Sequence, residues 1–255
     1  MLNLGCGSSF HEDWENYDLV PSAPSVKPID LTKPLPFEDG TFDVVYSSHV
    51  LEHIPRQRVP ALLREMARIL KPGGILRIVV PDLEGIIREY LRQLDLAAAG
   101  DRDAVARHEW MTIELLDQLT RDFSGGFMGR YWMSRPLPAR DFIGQRLGRE
   151  AGDWIDRCDV TGSAPFTPQT VYDAELPAPE TAMAFRQTGE NHRWMYDRVS
   201  LANILLSAGF ENPRRCAAVE SAIPEFKKYG LDTESSGEVR KPDSLFMEAV
   251  RAQSA

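Results

Sequence analysis

Apolar positions in this chain fall into short runs, and the spacing inside each run predicts an element. Leu2 and Leu4 flank Asn3 in a strand-like triplet that leads directly into Gly5-Cys6-Gly7. Residues 16–20 and 26–31 form two more short apolar stretches, each with an acid where a strand would end: Asp18 in the first, Asp30 beside Leu31 in the second. A turn with Asp39-Gly40 at its tip then feeds a buried strand that begins near Asp43 and runs out at Ser47-Ser48-His49. Here the period changes. Residues 56–70 place Leu62, Leu63, Met66, Ile69 and Leu70 on one helical face, with Pro60 in the first turn and Pro72-Gly73-Gly74 as the expected stop. Residues 75–81 predict the next strand, with Asp82 at its carboxyl end. Near the end of the chain, residues 198–208 predict a helix closed by Gly209-Phe210. Residues 216–220 and 245–250 predict two last strands around a polar loop.

The middle of the chain has another character. Residues 84–97 and 103–121 predict helices, the second carrying Trp110, Met111, Ile113, Leu115, Leu116 and Leu119. A glycine- and aromatic-rich stretch follows over 123–132. Residues 160–180 hold Pro165, Pro168, Pro177 and Pro179 and predict an extended, mobile loop. Residues 1–84 and 190–255 therefore form one expected α/β domain, and residues 85–189 a helical and loop insertion expected to act as a substrate lid. A helical add-on packed for stability is the alternative reading of the same stretch.

Strand followed by Gly-x-Gly is where chemistry enters. Glycine lets backbone approach a ligand closely and tolerates positive φ, and such a loop commonly opens a nucleotide- or cofactor-binding α/β domain. A tight turn alone also needs glycine, so the loop by itself leaves both readings open. Asp18 adds to it, because an acid at the end of a second strand can accept from both hydroxyls of a ribose.

Together, residues 2–7, Asp18, Asp30-Leu31, Leu35-Pro36-Phe37, residues 42–45, Val50-Leu51-Glu52-His53-Ile54 and Leu70-Lys71-Pro72-Gly73-Gly74 resemble a class I S-adenosylmethionine (SAM) methyltransferase of the type 11 group. The match is close over residues 1–84 and looser from about 190. It implies a Rossmann-like, doubly wound α/β sheet of about seven strands, with the helical insertion before the last two strands and SAM bound at the carboxyl ends of the strands. Carried over by position, Gly5, Cys6 and Gly7 would cradle the methionine part, Asp18 the ribose, and Asp30 with Leu31 the adenine. Asn3 and Ser47 complete the implied cofactor-binding set, with Ser47 and His49 facing the sulfonium end. The resemblance extends to chains associated with surface-polysaccharide assembly, which implies a small-molecule or saccharide-type acceptor methylated at oxygen. The chain departs from the family in two places. Ser9 stands where many members carry a third glycine, and residues 8–15 are too few for a crossover helix. An irregular loop with Trp14 packed inward is expected there.

Methyl transfer to oxygen requires a base, and two of the five histidines are candidates. His49 stands at the rim of the sheet. His192, in Gly189-Glu190-Asn191-His192, is expected to re-enter the α/β domain after the insertion. For His192 a structural, hydrogen-bonded histidine is the plainer reading; for His49 the two readings weigh equally. His49-Val50-Leu51-Glu52-His53 also matches the His-x-x-Glu-His signature of inverted zinc peptidases. That chemistry needs both histidines on one helical face, whereas this motif begins at a strand end, so the expected metal set is none; a divalent ion held by these imidazoles with Glu52, as some related methyltransferases hold one, stays open.

The 255 residues include 29 Lys and Arg against 38 Asp and Glu, a net charge of −9. So acidic a chain lacks the basic surface that drives nucleic-acid binding. The sequence has no apolar run of 18 residues and no secretory leader pattern, and its three scattered cysteines do not suggest a disulfide framework, so a cytoplasmic location is expected. The short first strand leads one to expect further residues upstream of Met1. Oligomeric state is open. Two rival functions remain: a SAM- or nucleotide-binding regulatory module that has lost transfer, and a dinucleotide oxidoreductase, which the short first connection disfavours.

Overall fold

Seven strands form one sheet, most of them short runs that end at a turn. In chain order they are β1 (Leu2–Leu4), β2 (Glu15–Asp18), β3 (Val26–Pro28), β4 (Phe42–Ser48), β5 (Leu70–Pro81), β6 (Phe210–Cys216) and β7 (Ser244–Arg251). Their spatial order is β3-β2-β1-β4-β5-β7-β6, with β7 antiparallel to both neighbours and the remaining pairs parallel. This is a Rossmann-like sheet, and its strand order reverses beside β1. That places the Gly5-Cys6-Gly7 turn at the switch point where open α/β sheets bind ligands. The computed structural model describes residues 1–161, 166–173, 175 and 177–253. Contacts divide these into a sheet unit (Met1–Asp82, Arg193–Val239, Ser244–Ala255) and a helical unit (Leu83–His192 with Arg240–Asp243).

In the sheet unit, alternation along the strands sorts side chains to two faces. Leu2, Leu4, Val45, Leu76, Ile78, Val80, Leu245 and Met247 face α1 (Val59–Ile69) and α8 (Arg198–Ser207). From α1 come Val59, Leu62, Leu63, Met66 and Ile69; from α8 come Leu201, Ile204 and Leu205. Asp197 starts α8 by accepting from the N–H groups of Val199 and Ser200 at 2.8 and 3.0 Å. Val44, Tyr46, Val79 and Phe246 face the other way. Among the described residues they pack with Trp14, Ile223, Leu231 and, from the 3-10 turn Phe226–Tyr229, Phe226 and Tyr229.

The structure moves two predicted boundaries. Helix α1 stops at Ile69, and Leu70 turns extended to pair with Phe42. Leu70 is fully buried at the start of β5, so an apolar residue at that spacing could not report the exit. Pro72-Gly73-Gly74 therefore lies inside β5, in the irregular stretch between the Phe42–Leu70 and Val44–Ile75 pairings. The strand expected over 216–220 instead occupies Phe210–Cys216, and Glu220 closes a turn onto the Ala217 carbonyl. As an edge strand, it carries Glu211, Asn212, Pro213, Arg214 and Arg215 between its two buried ends, which hides it from apolar patterning.

In the helical unit, α2 (Leu83–Ala98) and α3 (Arg102–Thr120) fall where the periodicity put them. Then come α4 (Gly126–Trp132), α5 (Arg140–Leu147), α6 (Arg149–Thr161) and α7 (Pro179–Arg186). The Pro-rich stretch 160–180 is thus bounded by helix at both ends, and Pro179 opens α7, where a missing N–H costs nothing. Of that stretch, residues 162–165, 174 and 176 lie outside the described residues. Val171 within it is fully buried. Among the described residues no helix is long and apolar enough to cross a membrane.

Candidate active site

β1 ends at Leu4 and the chain turns back through Gly5 (φ +72°) and Gly7 (φ +54°). The N–H groups of Gly5 and Cys6 both donate to the Tyr17 carbonyl of β2, at 2.8 and 3.1 Å. Asp18 completes the clamp, accepting from the Gly7 N–H at 2.7 Å through one carboxylate oxygen and from Val20 at 3.1 Å through the other. The two glycines serve different ends. A Cβ on Gly5 would overlap the Val50 side chain, whereas one on Gly7 would meet nothing within 4 Å. The loop is packed tight on the Val50 side and left open at Gly7, beside an acid fixed by backbone donors.

The sequence-predicted residues divide on where their polar atoms go. Asn3 is fully buried, and its amide donates to the Ser9 carbonyl (3.1 Å) and to Asn16 Oδ1 (3.2 Å). Asn16 in turn donates to the carbonyls of His11 and Trp14. Asn3 thus braces the loop, and Trp14 packs edge-on against Tyr46 and Tyr229 as expected. Asn3 Oδ1 has no partner among the described residues, leaving one buried acceptor beside the turn. Burial, and then the charge of Asp18, pushes the Cys6 thiol up to about 11, so it is neutral and unreactive near pH 7. Asp30 accepts from the Thr32 hydroxyl (2.6 Å) and N–H (3.0 Å), which holds its carboxyl below the usual range. Leu31 packs partly buried against the core. The Ser47 hydroxyl is spent on the Leu4 carbonyl at 3.0 Å, joining β4 to the end of β1.

His49 follows β4 at φ +53°, an uncommon conformation for a residue with a Cβ. Its N–H donates to the Val79 carbonyl at 2.9 Å. Its ring lies between Glu52 and Ser244: Nδ1 is 3.2 Å from Glu52 Oε1, and Nε2 is 2.9 Å from Ser244 Oγ. Ser244 pairs with Pro81 at the end of β5, so its hydroxyl stands on the same rim as the glycine loop. Also on that rim is Asp82, which accepts from Arg215 at 2.9 Å. His192 belongs to the helical unit, where it is buried and its N–H donates to the Gln118 carbonyl at 2.9 Å.

Sequence reasoning missed Ser244, Val50 and Ser22, whose hydroxyl donates to the Gly7 carbonyl. Ser244 lies 195 positions from His49, and only the antiparallel register of β7 on β5 brings it near. Glu52, three residues past His49, was legible as a residue but not as a ring partner.

Residues 16–78 match a family model described as a methyltransferase domain. The chain is similar to a demethylmenaquinone methyltransferase of Corynebacterium urealyticum, with 46% identity over 63 residues, covering 22% of this chain and 26% of that protein. It is also similar to a sterol 4-C-methyltransferase of Caenorhabditis elegans, with 45% identity over 49 residues, covering 19% and 14%. The chain thus spans about a quarter or less of the length of these curated relatives. Among solved structures, a SAM-dependent methyltransferase from Archaeoglobus fulgidus aligns with 98% of this chain and 85% of its own, at 13% identity and a TM-score of 0.42.

Proposed function

We propose that this chain, whose residues 16–78 belong to the methyltransferase domain family, is a SAM-dependent methyltransferase acting at oxygen on a small-molecule or saccharide-type acceptor. The observation that carries the reading is the turn after β1. Gly7 is left open at positive φ while its N–H is pinned on Asp18, which suits a cofactor lying along the loop with its ribose at the acid. Gly5, Cys6 and Gly7 would hold the methionine part by backbone, Asp18 the ribose hydroxyls, and Asp30 and Leu31 the adenine edge. Asn3 and Ser47 act from beneath, bracing the loop and β4.

When bound, SAM supplies an electrophilic methyl group on a positively charged sulfur. What remains for the chain is to orient the acceptor oxygen and to take its proton, and we assign that proton to Nε2 of His49. His192 is the second candidate. Acceptor choice is assigned to the helical unit as a lid, since the chain enters it directly after Asp82 at the end of β5. A small acceptor accords with relatives named for sterol and demethylmenaquinone, and the net charge of −9 speaks against nucleic acid. Three scattered cysteines accord with a cytoplasmic location.

Two experiments test this reading. In calorimetric titration, Asp18→Ala should weaken SAM binding about ten- to hundredfold, the worth of a charge-assisted hydrogen bond or two. Asp18→Asn, which keeps an acceptor for the Gly7 N–H, should fall between it and the parent; equal affinity in all three would remove Asp18 from the site. Methyl-labelled SAM offered with a panel of hydroxyl-bearing small molecules and saccharides should give labelled product. His49→Ala should lower that transfer about hundredfold or more at unchanged SAM affinity. Tight SAM binding with no transfer to any acceptor would instead favour a binding module without chemistry.

A further inference from the structure

The His49 ring is held more firmly than a loop histidine needs. Glu52 is fully buried and Ser244 nearly so, while the His49 side chain keeps 16% of its exposure, opening onto the rim. Glu52 sits in the 3-10 turn Leu51–His53, and its carbonyl accepts from the N–H groups of Arg193 and Trp194, which fixes the backbone that carries the carboxylate. Ser244 is fixed by the β5–β7 ladder. Holding a non-glycine residue at positive φ is strained, and such strain persists where the surroundings over-determine it. Here a backbone bond to β5, a carboxylate and a hydroxyl all act on one residue.

We propose that Glu52, His49 and Ser244 form a proton relay for the oxygen methylation described above, with Glu52 as positioning residue and Ser244 as the group that meets the acceptor. This rests on the methyltransferase reading. With a buried carboxylate 3.2 Å from Nδ1 and a hydroxyl 2.9 Å from Nε2, the relay needs the neutral ring to carry its proton on Nδ1 and offer the Nε2 lone pair to Ser244. That is a base with an orienting acid behind it. In transfer, the acceptor oxygen forms its bond to the methyl carbon as the carbon–sulfur bond breaks, and that electron pair stays on sulfur to give S-adenosylhomocysteine. The acceptor's proton passes to Ser244 Oγ, and the Ser244 proton passes to Nε2. The imidazolium is left facing Glu52, and no further reactant is needed.

The test begins without an acceptor. In protein labelled with ¹⁵N at histidine, long-range proton–nitrogen spectra should show His49 protonated at Nδ1. Glu52→Gln, whose amide can donate to Nδ1, should move the proton to Nε2. Ser244→Ala should leave the tautomer unchanged and shift Nε2 toward an unbonded nitrogen, and Ser244→Thr should restore it. With any acceptor found by label transfer, Ser244→Ala should lower kcat about tenfold or more at unchanged SAM affinity, and Ser244→Thr should recover it. A wild-type His49 protonated at Nε2, or full kcat in Ser244→Ala, would overturn the relay. The wild-type spectrum decides the tautomer even if a variant fails to fold. Failure of the protein to bind SAM would overturn the methyltransferase reading and leave the Glu52–His49–Ser244 geometry standing, so the two failures are distinct.

Discussion

Arg77→Met should unfold the protein or bring it close to unfolding at ambient temperature. Arg77 is fully buried in β5, opposite Glu248 in β7. Its guanidinium donates to Asp232 at 2.7 Å, to Glu248 at 2.8 Å and to the Glu220 carbonyl at 2.9 Å, and lies 4.6 Å from the Phe226 ring. Tyr46 donates to the same Asp232 at 2.5 Å. Burial works against charge on Arg77, yet Asp232 and Glu248 together hold its pKa above the ordinary value. One cation therefore gathers the loop that covers the second face of the sheet. Methionine fills much of the volume but leaves buried Asp232 with only the Tyr46 hydroxyl and Glu248 with Arg214, Ser221 and the Ala222 N–H, and breaking a buried pair costs about 3–5 kcal/mol. Domains of this kind have about 5–15 kcal/mol in total. A urea titration followed by circular dichroism should show the midpoint collapse. Adding Asp232→Leu to Arg77→Met should recover part of the loss, because an apolar partner needs no cation. Arg77→Met with a wild-type midpoint would show that the pairs contribute nothing net.

Gly5→Ala should abolish SAM binding in the calorimeter, a loss of about hundredfold or more. Two costs add. An L-residue at φ +72° pays roughly 1–2 kcal/mol, and the new methyl group overlaps Val50, so the turn must move. Movement there displaces the N–H groups of Gly5 and Cys6 from the Tyr17 carbonyl, and with them the Gly7–Asp18 clamp. Gly7→Ala pays the dihedral cost alone, with nothing within 4 Å of its Cβ, and should be milder in stability. Combining Gly5→Ala with Val50→Ala should recover part of the affinity, since it relieves the overlap and not the dihedral. Equal affinity in Gly5→Ala and wild type would mean the loop does not need its present path.

The chain announced the parts of this site that are local. Gly5-Cys6-Gly7, Asp18 and the strand that ends near His49 are each set by a few consecutive residues, and the structure gathers the glycine turn and Asp18 into one clamp. What stayed hidden depends on register across the sheet. Ser244 reaches His49 because β7 runs antiparallel along β5. Arg77 meets Glu248 and Asp232 through the same register and a loop that no periodicity marks. Ser47 shows the converse. Position alone suggested a cofactor contact, whereas its hydroxyl is satisfied by the Leu4 carbonyl. Edge strand β6 escaped because its middle is polar, and the end of α1 escaped because Leu70, already in β5, is buried like the helix face before it.

The most direct measurement is calorimetric titration of the folded protein with SAM and with S-adenosylhomocysteine, with NAD as control. Micromolar binding of both sulfur nucleotides and none of NAD is the predicted result. Binding of NAD alone, or of none of the three by a protein shown to be folded, would contradict the assignment of the Gly5-Cys6-Gly7 turn and Asp18 to a SAM site.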